Sequence, residues 1–299
     1  MQNSVPMEYR GGNSWGILSV IEKSIKAKIE CKGVPLKDWN VNIYRGVITG
    51  FNEAFIITKQ TRDQLVADDP KSAEIIRPIL RGRDIKRYSY QFADLWVILA
   101  GFGSHEYLEN QYPAIYQHLC RYESQLKGRG QCRYTSSGKK RTGKPYPGQH
   151  HWLELDNNPS REYLDDFRKQ KIVWGNLCLS AQYTLAAEEL YISAPSPIIT
   201  NANKYVLAML NSKLLDWYVR QLGVTRNGGY FEYKPMFVEK IPIPQISYKE
   251  EKTFEDIVDT ILLKKEFGES TLVLEEKIDS MVFDLFQLTA EEQNYVLNC

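Results

Sequence analysis

The chain has 299 residues, of which 43% are hydrophobic and 25% charged, proportions typical of a globular protein with a sizeable core. No apolar run reaches the ~18 residues that cross a membrane, and the N-terminal residues lack the basic and apolar regions of a signal peptide. Five cysteines, odd in number and without C-x-x-C spacing, favour reduced thiols in the cytoplasm over a disulfide framework.

The net charge of +1 conceals a strong asymmetry along the chain. Residues 249–299 contain 13 acidic and 5 basic residues, a net charge of −8, so residues 1–248 carry +9. Because affinity for nucleic acid depends on neutralising phosphates, a polyanion is expected on the basic part. The acidic C-terminal part is expected to face protein.

The first half of the chain is predicted to mix short strands with helices. Apolar spacing predicts a helix over residues 15–30, which Gly33 and Pro35 end. Residues 43–57 have the pattern of a strand, a glycine turn at Thr49–Gly50 and a second strand. A helix is predicted around residues 61–67 and a short buried strand over residues 96–100.

The second half begins with a helix predicted over residues 112–126, which starts near Pro113. Residues 127–148 are poor in apolar side chains and are predicted to form a long loop. Strands follow between residues 171 and 200, and an amphipathic helix is predicted over residues 204–222. Residues 238–244 contain two prolines and are therefore predicted to be an edge or a boundary.

After Pro244 the pattern becomes helical. Two apolar stripes, separated by residues 267–270, predict a helical hairpin, and Thr289 with Glu292 predicts a capping box for a last short helix. The predicted fold class is α+β: a twisted, β-rich core with inserted helices and a C-terminal helical hairpin. The predicted divisions are residues 1–40 (linker and helix), 41–245 (the core domain) and 246–299 (the hairpin and end helix).

Two basic segments are candidates for DNA contact. One places four cations around Gly82; the other, residues 121–144, holds eight cations and one acid, Glu123. Cations suit phosphates and guanine edges, and glutamine suits an adenine edge. An isolated basic loop is more often a solvated surface, but the second cluster and the acidic C-terminal part favour nucleic acid. The candidate residues are Arg81, Arg83, Lys86, Arg87, Lys127, Arg129, Arg133, Tyr134, Lys139, Lys140, Arg141, Lys144, Gln149, His151, Trp152 and Arg226.

Three further patterns give weaker indications of a binding site. The glycines at 46 and 50 suit a hairpin better than a phosphate cradle. The loop over residues 226–231 suits a DNA backbone, a stacked base or a plain connection equally well. The histidines and cysteines do not have the spacing of a zinc site.

Catalytic motifs are missing from the sequence. It contains neither G-x-x-x-x-G-K-[ST] nor G-x-G-x-x-G after a strand, and the nearest match to an Asn/Asp-Pro-Pro-aromatic motif, residues 157–160, lacks the second proline and the aromatic. The chain is therefore predicted to bind without catalysing and without a metal or cofactor of its own. Two alternatives remain: a divergent Mg²⁺-dependent nuclease that uses Glu232 and Lys234, and a protein- or RNA-interaction module.

Seven motifs, in order along nearly the whole chain, resemble the TaqI-like C-terminal specificity domain of type II restriction–modification enzymes. They are Gly33–Trp39, Ile43–Gly46 with Thr49–Phe55, Ile79–Ile85, Lys171–Trp174, Leu207–Lys213 with Trp217–Tyr218, Glu239–Pro244, and Lys277–Phe286 with Leu288–Thr289.

This resemblance implies a function in DNA recognition. It implies that residues 41–245 are a target-recognition domain that reads a short double-stranded site for an N6-adenine methyltransferase or nuclease domain, present in cis or in trans. S-adenosylmethionine and Mg²⁺ are then expected only in those catalytic domains. The chain is expected to be either a fragment of a longer enzyme or a separate specificity subunit.

The long basic loop generates the first testable prediction. Replacing Lys139, Lys140 and Arg141 with alanine should weaken binding to duplex DNA of every sequence and flatten its salt dependence, because phosphate contacts are lost. Fluorescence anisotropy titrations at several salt concentrations measure both quantities. Unchanged affinity and salt slope would contradict the assignment of this loop to DNA.

Overall fold

In a computed structural model, residues 18–132, 149–156 and 161–299 of the protein are described. The described strands are β1 (Gly33–Pro35), β2 (Asn42–Arg45), β3 (Ile56–Thr58), β4 (Ile76–Leu80), β5 (Ile85–Lys86), β6 (Ser89–Tyr90), β7 (Leu95–Ile98), β8 (Lys171–Trp174), β9 (Leu177–Cys178), β10 (Tyr183–Ala186), β11 (Tyr191–Ile192), β12 (Pro197–Thr200), β13 (Phe231–Glu232) and β14 (Pro242–Pro244).

The described α-helices are α1 (Val20–Lys32), α2 (Asn52–Phe55), α3 (Lys59–Asp68), α4 (Leu108–Gln111), α5 (Pro113–Cys120), α6 (Glu123–Lys127), α7 (Arg161–Asp166), α8 (Lys204–Asn211), α9 (Lys213–Leu222), α10 (Pro235–Val238), α11 (Tyr248–Glu266), α12 (Leu272–Phe286) and α13 (Ala290–Leu297). Within the described ranges, no helix combines the length and the apolar character needed to cross a membrane.

Side-chain caps fix where several helices begin. The Thr289 hydroxyl accepts a hydrogen bond from the Glu292 N–H, and the Glu292 carboxylate accepts one from the Thr289 N–H at 2.7 Å. Ser19 with Glu22 caps α1 in the same way, and Ser247 with Glu250 caps α11. These pairs satisfy N–H groups that have no partner within the helix. The capping box predicted before α13 is confirmed.

Two four-stranded sheets form the centre of the fold. The first sheet has the antiparallel order β10-β8-β12-β2. The second sheet has the order β11-β4-β7-β3, in which β11 and β4 are parallel and the other pairs antiparallel. Short two-stranded pairs, β1-β14, β5-β6 and β9-β13, lie beside them.

The first sheet separates two hydrophobic cores. On β8, Ile172 and Trp174 pack into a core with α1, α8, α9 and α11–α13, whereas Val173 packs into a core formed by the second sheet and α2–α6. The alternation follows from the two-residue period of a strand, and both faces of β8 are buried. The predicted α+β fold class is confirmed.

The C-terminal hairpin predicted from the sequence is confirmed as α11 and α12. Its buried residues, among them Phe254 and Ile278, share one core with α1, α8 and α9. In addition, Gly33–Pro35 pairs with Pro242–Pro244 at an edge. Residues on both sides of positions 40 and 245 therefore contribute to one core.

Two helices predicted as continuous are each broken in two. Ser212 has an extended backbone, and its hydroxyl accepts from the Leu215 N–H, so it ends α8 and caps α9. All residues of α8 from Tyr205 to Asn211 are buried, so this part is not amphipathic. The helix predicted over residues 112–126 likewise divides into α5 and α6.

The hairpin predicted over residues 43–57 is wrong. Strands β2 and β3 belong to different sheets, and Asn52–Phe55 between them forms α2. Gly50 adopts a φ of +68°, the left-handed conformation that glycine tolerates, and redirects the chain from one sheet to the other.

The two sheets meet at a close backbone contact, called here the sheet junction, which comprises Gly46, Val47, Leu80 and residues 192–196. The Gly46 N–H donates to the Ser196 carbonyl at 2.7 Å, and the Val47 N–H donates to the Ile192 carbonyl at 2.7 Å. The Ser193 N–H donates to the Leu80 carbonyl at 2.8 Å. A Cβ atom on Gly46 would lie 2.4 Å from the Ile192 carbonyl oxygen, so no side chain fits there.

Arg129 is a structural residue of the second core. It is only 6% exposed, and its guanidinium donates to the carbonyls of Thr49 at 2.6 Å, Trp152 at 2.8 Å and Glu154 at 2.7 Å. Burial lowers its pKa to about 10, which leaves it charged at neutral pH. These contacts correct the prediction that Arg129 binds DNA, because they occupy the donors that a phosphate would need.

The sheet junction gives a stability prediction. Gly46→Ala should lower the free energy of unfolding by about 2 kcal/mol, because the new methyl group forces the two backbones apart. Urea denaturation measures the loss. Gly101→Ala is the matched control: its Cβ would make only an ordinary contact at 3.5 Å, so a change within about 0.5 kcal/mol is expected. Equal losses in both variants would contradict the role of the junction.

A second stability prediction concerns Arg129. Arg129→Met should destabilise the fold by at least about 2 kcal/mol, because it leaves buried carbonyls without donors. Arg129→Lys should recover little of the loss, since an ammonium group lacks the planar fork. Thermal unfolding compares both variants with Arg83→Met at an exposed position, where stability should stay nearly constant. A stable Arg129→Met protein would show that these hydrogen bonds contribute little.

Candidate nucleic-acid interface

A concave surface, called here the central groove, lies against the sheet junction. It is lined by Ser193–Ser196 of the junction and by residues from segments that are far apart in the sequence. The residues that line it are Asn52, Arg81, Gly82, Arg83, Ile85, Lys86, Gly175, Asn176, Leu177, Cys178, Leu179, Gln182, Ser193, Ala194, Pro195, Ser196 and Tyr230.

One wall of the central groove is basic. Arg83 and Lys86 are exposed, and the Lys86 ammonium donates to the Arg83 carbonyl at 3.0 Å. Arg81 is less available, because its guanidinium makes two hydrogen bonds to Asp84 at 2.9 and 2.8 Å. Burial opposes ionisation of Asp84, but the bonds from Arg81 outweigh it and lower the pKa of this carboxyl. Asp84 thereby holds the turn that presents Arg83.

Arg226 lies at a side groove that opens from the central groove at Asn176 and Leu177. The pairing of β9 with β13 brings these segments together, with Phe231 opposite Cys178. The Arg226 side chain is 54% exposed, although its Nε donates to the Glu232 carboxylate at 2.6 Å. The structure therefore gathers Arg81, Arg83, Lys86 and Arg226 around connected grooves.

Glu232 and Lys234, the residues of the nuclease alternative, form an ion pair at 2.8 Å. Lys234 and Arg226 together lower the pKa of the Glu232 carboxyl. Among the described residues, no three His, Cys, Asp or Glu side chains converge as metal ligands.

Four predicted contact residues point elsewhere, which corrects their assignment. Arg87 donates to Glu275 on α12 at 2.5 Å. The Lys127 ammonium pairs with Glu123 and lies 5.3 Å from the Trp152 ring. Trp152 and His151 are each 8% exposed, and the His151 N–H donates to Glu154. These four side chains are largely buried and make contacts within the protein.

The remaining predicted residues lie away from the central groove or outside the described residues. Gln149 is half-buried and is not among the residues that line the groove. The others fall outside the described ranges: Arg133, Tyr134, Lys139, Lys140, Arg141 and Lys144.

The central groove also contains side chains that the sequence reasoning missed. Asn176 and Gln182 line it, together with Leu177 and Leu179, which are 49% and 54% exposed. A sequence signal existed: residues 175–182 contain two leucines and two amides in a connection between apolar strands. Basic clusters are the pattern that indicates a nucleic-acid interface, and this segment contains no charged residue.

Two known proteins have sequences similar to this chain. The Type II methyltransferase M.MjaIV of Methanocaldococcus jannaschii is 22% identical over 243 residues, which cover 79% of this chain and 76% of the relative. The Type II restriction enzyme and methyltransferase RM.Eco57I of Escherichia coli is 26% identical over 177 residues, which cover 56% of this chain and 16% of the relative.

The fold also occurs in a solved structure. The Type IIL restriction–modification enzyme MmeI, solved in complex with DNA, matches with a TM-score of 0.64 at 12% identity. The match covers 90% of this chain and 37% of MmeI. At this identity the likeness concerns the fold alone.

A family model covers the central part of the sequence. It describes the TaqI-like C-terminal specificity domain and matches residues 77–243, more than half of the chain. The matched segment runs from β4 to β14 and includes most of the residues that line the central groove. The chain therefore belongs to the TaqI-like C-terminal specificity domain family.

Proposed function

We propose that this chain recognises a specific double-stranded DNA sequence on behalf of a restriction–modification enzyme. The observation that carries the proposal is the central groove, where exposed cations from residues 81–86 and from Arg226 meet amide and apolar side chains. The family membership and the names of the relatives support it.

Two kinds of contact are needed for such recognition, and the central groove offers both. Arg83, Lys86 and Arg226 supply positive charge for phosphates, which fixes the position of the duplex without selecting a sequence. Uncharged side chains that line the groove supply hydrogen-bonding and apolar groups for base edges. This combination distinguishes a specific DNA site from a merely basic surface.

We further propose that the chain does not catalyse by itself. The sequence lacks the Asn/Asp-Pro-Pro-aromatic motif of an amino-methyltransferase, so methylation or cleavage would belong to a catalytic domain in cis or in trans. S-adenosylmethionine and Mg²⁺ would bind in that domain. A cytoplasmic location follows from this role, because cellular DNA lies there in bacteria and archaea.

The proposed function predicts the effect of removing the exposed cations. Arg83→Ala combined with Lys86→Ala should weaken binding to all duplexes at least roughly tenfold. It should also reduce the slope of log K against log salt concentration by about 2, since two phosphate contacts are lost. Fluorescence anisotropy with labelled duplexes at several salt concentrations measures both.

The matched control removes two cations from the helical side of the protein. Lys23→Ala with Lys277→Ala changes exposed residues on α1 and α12. It removes two positive charges, as many as Arg83→Ala with Lys86→Ala. Its affinity and salt slope should stay close to those of the wild type. If both double variants weaken binding equally, net charge rather than the central groove determines affinity, and the proposed interface is wrong.

The alternatives are tested on the same purified chain. Incubation with supercoiled plasmid and Mg²⁺ should leave the plasmid intact, whereas nicking that disappears in Glu232→Gln would establish the nuclease. Competition between duplex DNA and single-stranded RNA at fixed salt should favour the duplex. Preferential binding of RNA would replace the proposed function with RNA recognition.

A further inference from the structure

The segment between β8 and β10, residues 175–182, projects into the central groove and is called here the reading loop. It contains no charged residue: its sequence is Gly-Asn-Leu-Cys-Leu-Ser-Ala-Gln. Leu177 and Leu179 are about half exposed, whereas neighbouring β8 is buried throughout. These two leucines therefore leave apolar surface at the central groove.

Two amide side chains stand beside these leucines. Asn176 and Gln182 are half-buried and line the central groove, and their amides make no hydrogen bond with any other described residue. Asn176 also borders the side groove at Arg226 and a third groove beside β2. It therefore lies where these three grooves meet.

The buried carboxylate of Asp216 holds the reading loop in place. Asp216, on α9, accepts hydrogen bonds from the Ala181 N–H at 3.1 Å and from the Tyr233 hydroxyl at 2.5 Å. Arg220 pairs with the same carboxylate. The Tyr233 N–H donates in turn to the Asn176 carbonyl at 2.9 Å. Both ends of the loop are thus tied to one hydrogen-bond network.

Glycine also constrains the reading loop. A Cβ atom on Gly175 would lie 2.7 Å from the Cys178 sulfur, so the loop begins with a turn too tight for a side chain. The pairing of β9 with β13 fixes its middle. A loop held at its start, middle and end presents its side chains in one geometry, which recognition of a base edge requires.

We propose that the reading loop is the base-reading element of this protein and that it reads A·T base pairs in the major groove, with Asn176 and Gln182 on adenine edges and Leu177 or Leu179 on thymine methyl groups. This inference rests on the proposed function. A carboxamide can donate to adenine N7 and accept from its N6 amino group, and an apolar side chain contacts the thymine methyl. Because the loop carries no charge, it adds little to the electrostatic attraction of phosphates, which Arg83, Lys86 and Arg226 supply.

Selection from a random duplex library by the full-length chain tests this inference. Wild type should enrich sites with at least one fixed A·T pair. Gln182→Glu should change the preferred base at one position from adenine towards cytosine, because a carboxylate can only accept, and cytosine offers the N4 amino group. The preference for adenine there should fall roughly tenfold or more, while the other positions stay unchanged. Asn176→Asp should do the same at a different position.

The control variant is Gln245→Glu, which makes the same change at an exposed residue that does not line the central groove. It should keep the wild-type site. Tyr233→Phe tests the support of the loop: it should weaken the preference at the same positions without creating a new one, while affinity for unrelated duplexes remains. A purely structural role of Tyr233 would instead lower affinity for every sequence equally.

The outcomes distinguish failure of the inference about the reading loop from failure of the proposed function. If wild type enriches a defined site and both loop variants enrich that same site, the reading loop does not read bases, although the proposed function stands. If wild type enriches no site, the proposed function fails, and the inference fails with it. Thermal unfolding identifies any variant that has lost its fold. If only one of Gln182→Glu and Asn176→Asp folds, the site that this variant selects decides whether the reading loop reads bases.

Discussion

The contact of Gly46 with the backbone of residues 192–196 determines how the two sheets are arranged. Strand β2 leaves the first sheet at this point, and its continuation bonds to the second sheet through Val47. Gly82 lies against the same segment, since a Cβ there would be 2.5 Å from the Ser196 hydroxyl. Each backbone hydrogen bond contributes only about 1 kcal/mol, but several in one place allow a single relative position of the sheets. The wall that carries Arg83 and Lys86 is positioned by this contact.

The basic segment over residues 81–87 does not act as a unit. Arg81 is used to bind Asp84, Arg87 reaches Glu275 on the acidic hairpin, and Arg83 and Lys86 remain exposed. Glu275 also contacts Lys265, so the hairpin uses some of its excess acid within the chain. One acidic residue of the hairpin, Glu275, therefore links the hairpin to the basic segment through Arg87.

The sequence was informative wherever the signal is local. Proline and capping side chains act within a few residues, and the start of α13 and the edge strand β14 were predicted correctly from Thr289 and Pro242. The pairing of strands depends on distant partners, so the local pattern of residues 43–57 predicts a hairpin that the structure does not form. Burial depends on the whole fold as well, so the structural role of Arg129 could not be distinguished from a role in a basic loop. The reading loop carries no charge, so its two amides and two leucines do not stand out beside the basic segments of the sequence.

Charge and specificity occupy different parts of the proposed interface, and the physical reason is general. A cation attracts any phosphate, so Arg83 and Lys86 would strengthen binding to every duplex alike. An amide that is unpaired in the free protein discriminates, because a wrong base leaves it buried without a partner at a cost of about 1–3 kcal/mol. This free-energy penalty applies only if the loop cannot move so that the amide finds another hydrogen-bond partner. In the proposed interface, the network of Asp216, Tyr233 and the Ala181 N–H would restrict such movement, so this buried carboxylate would contribute to specificity together with the side chains that face the groove.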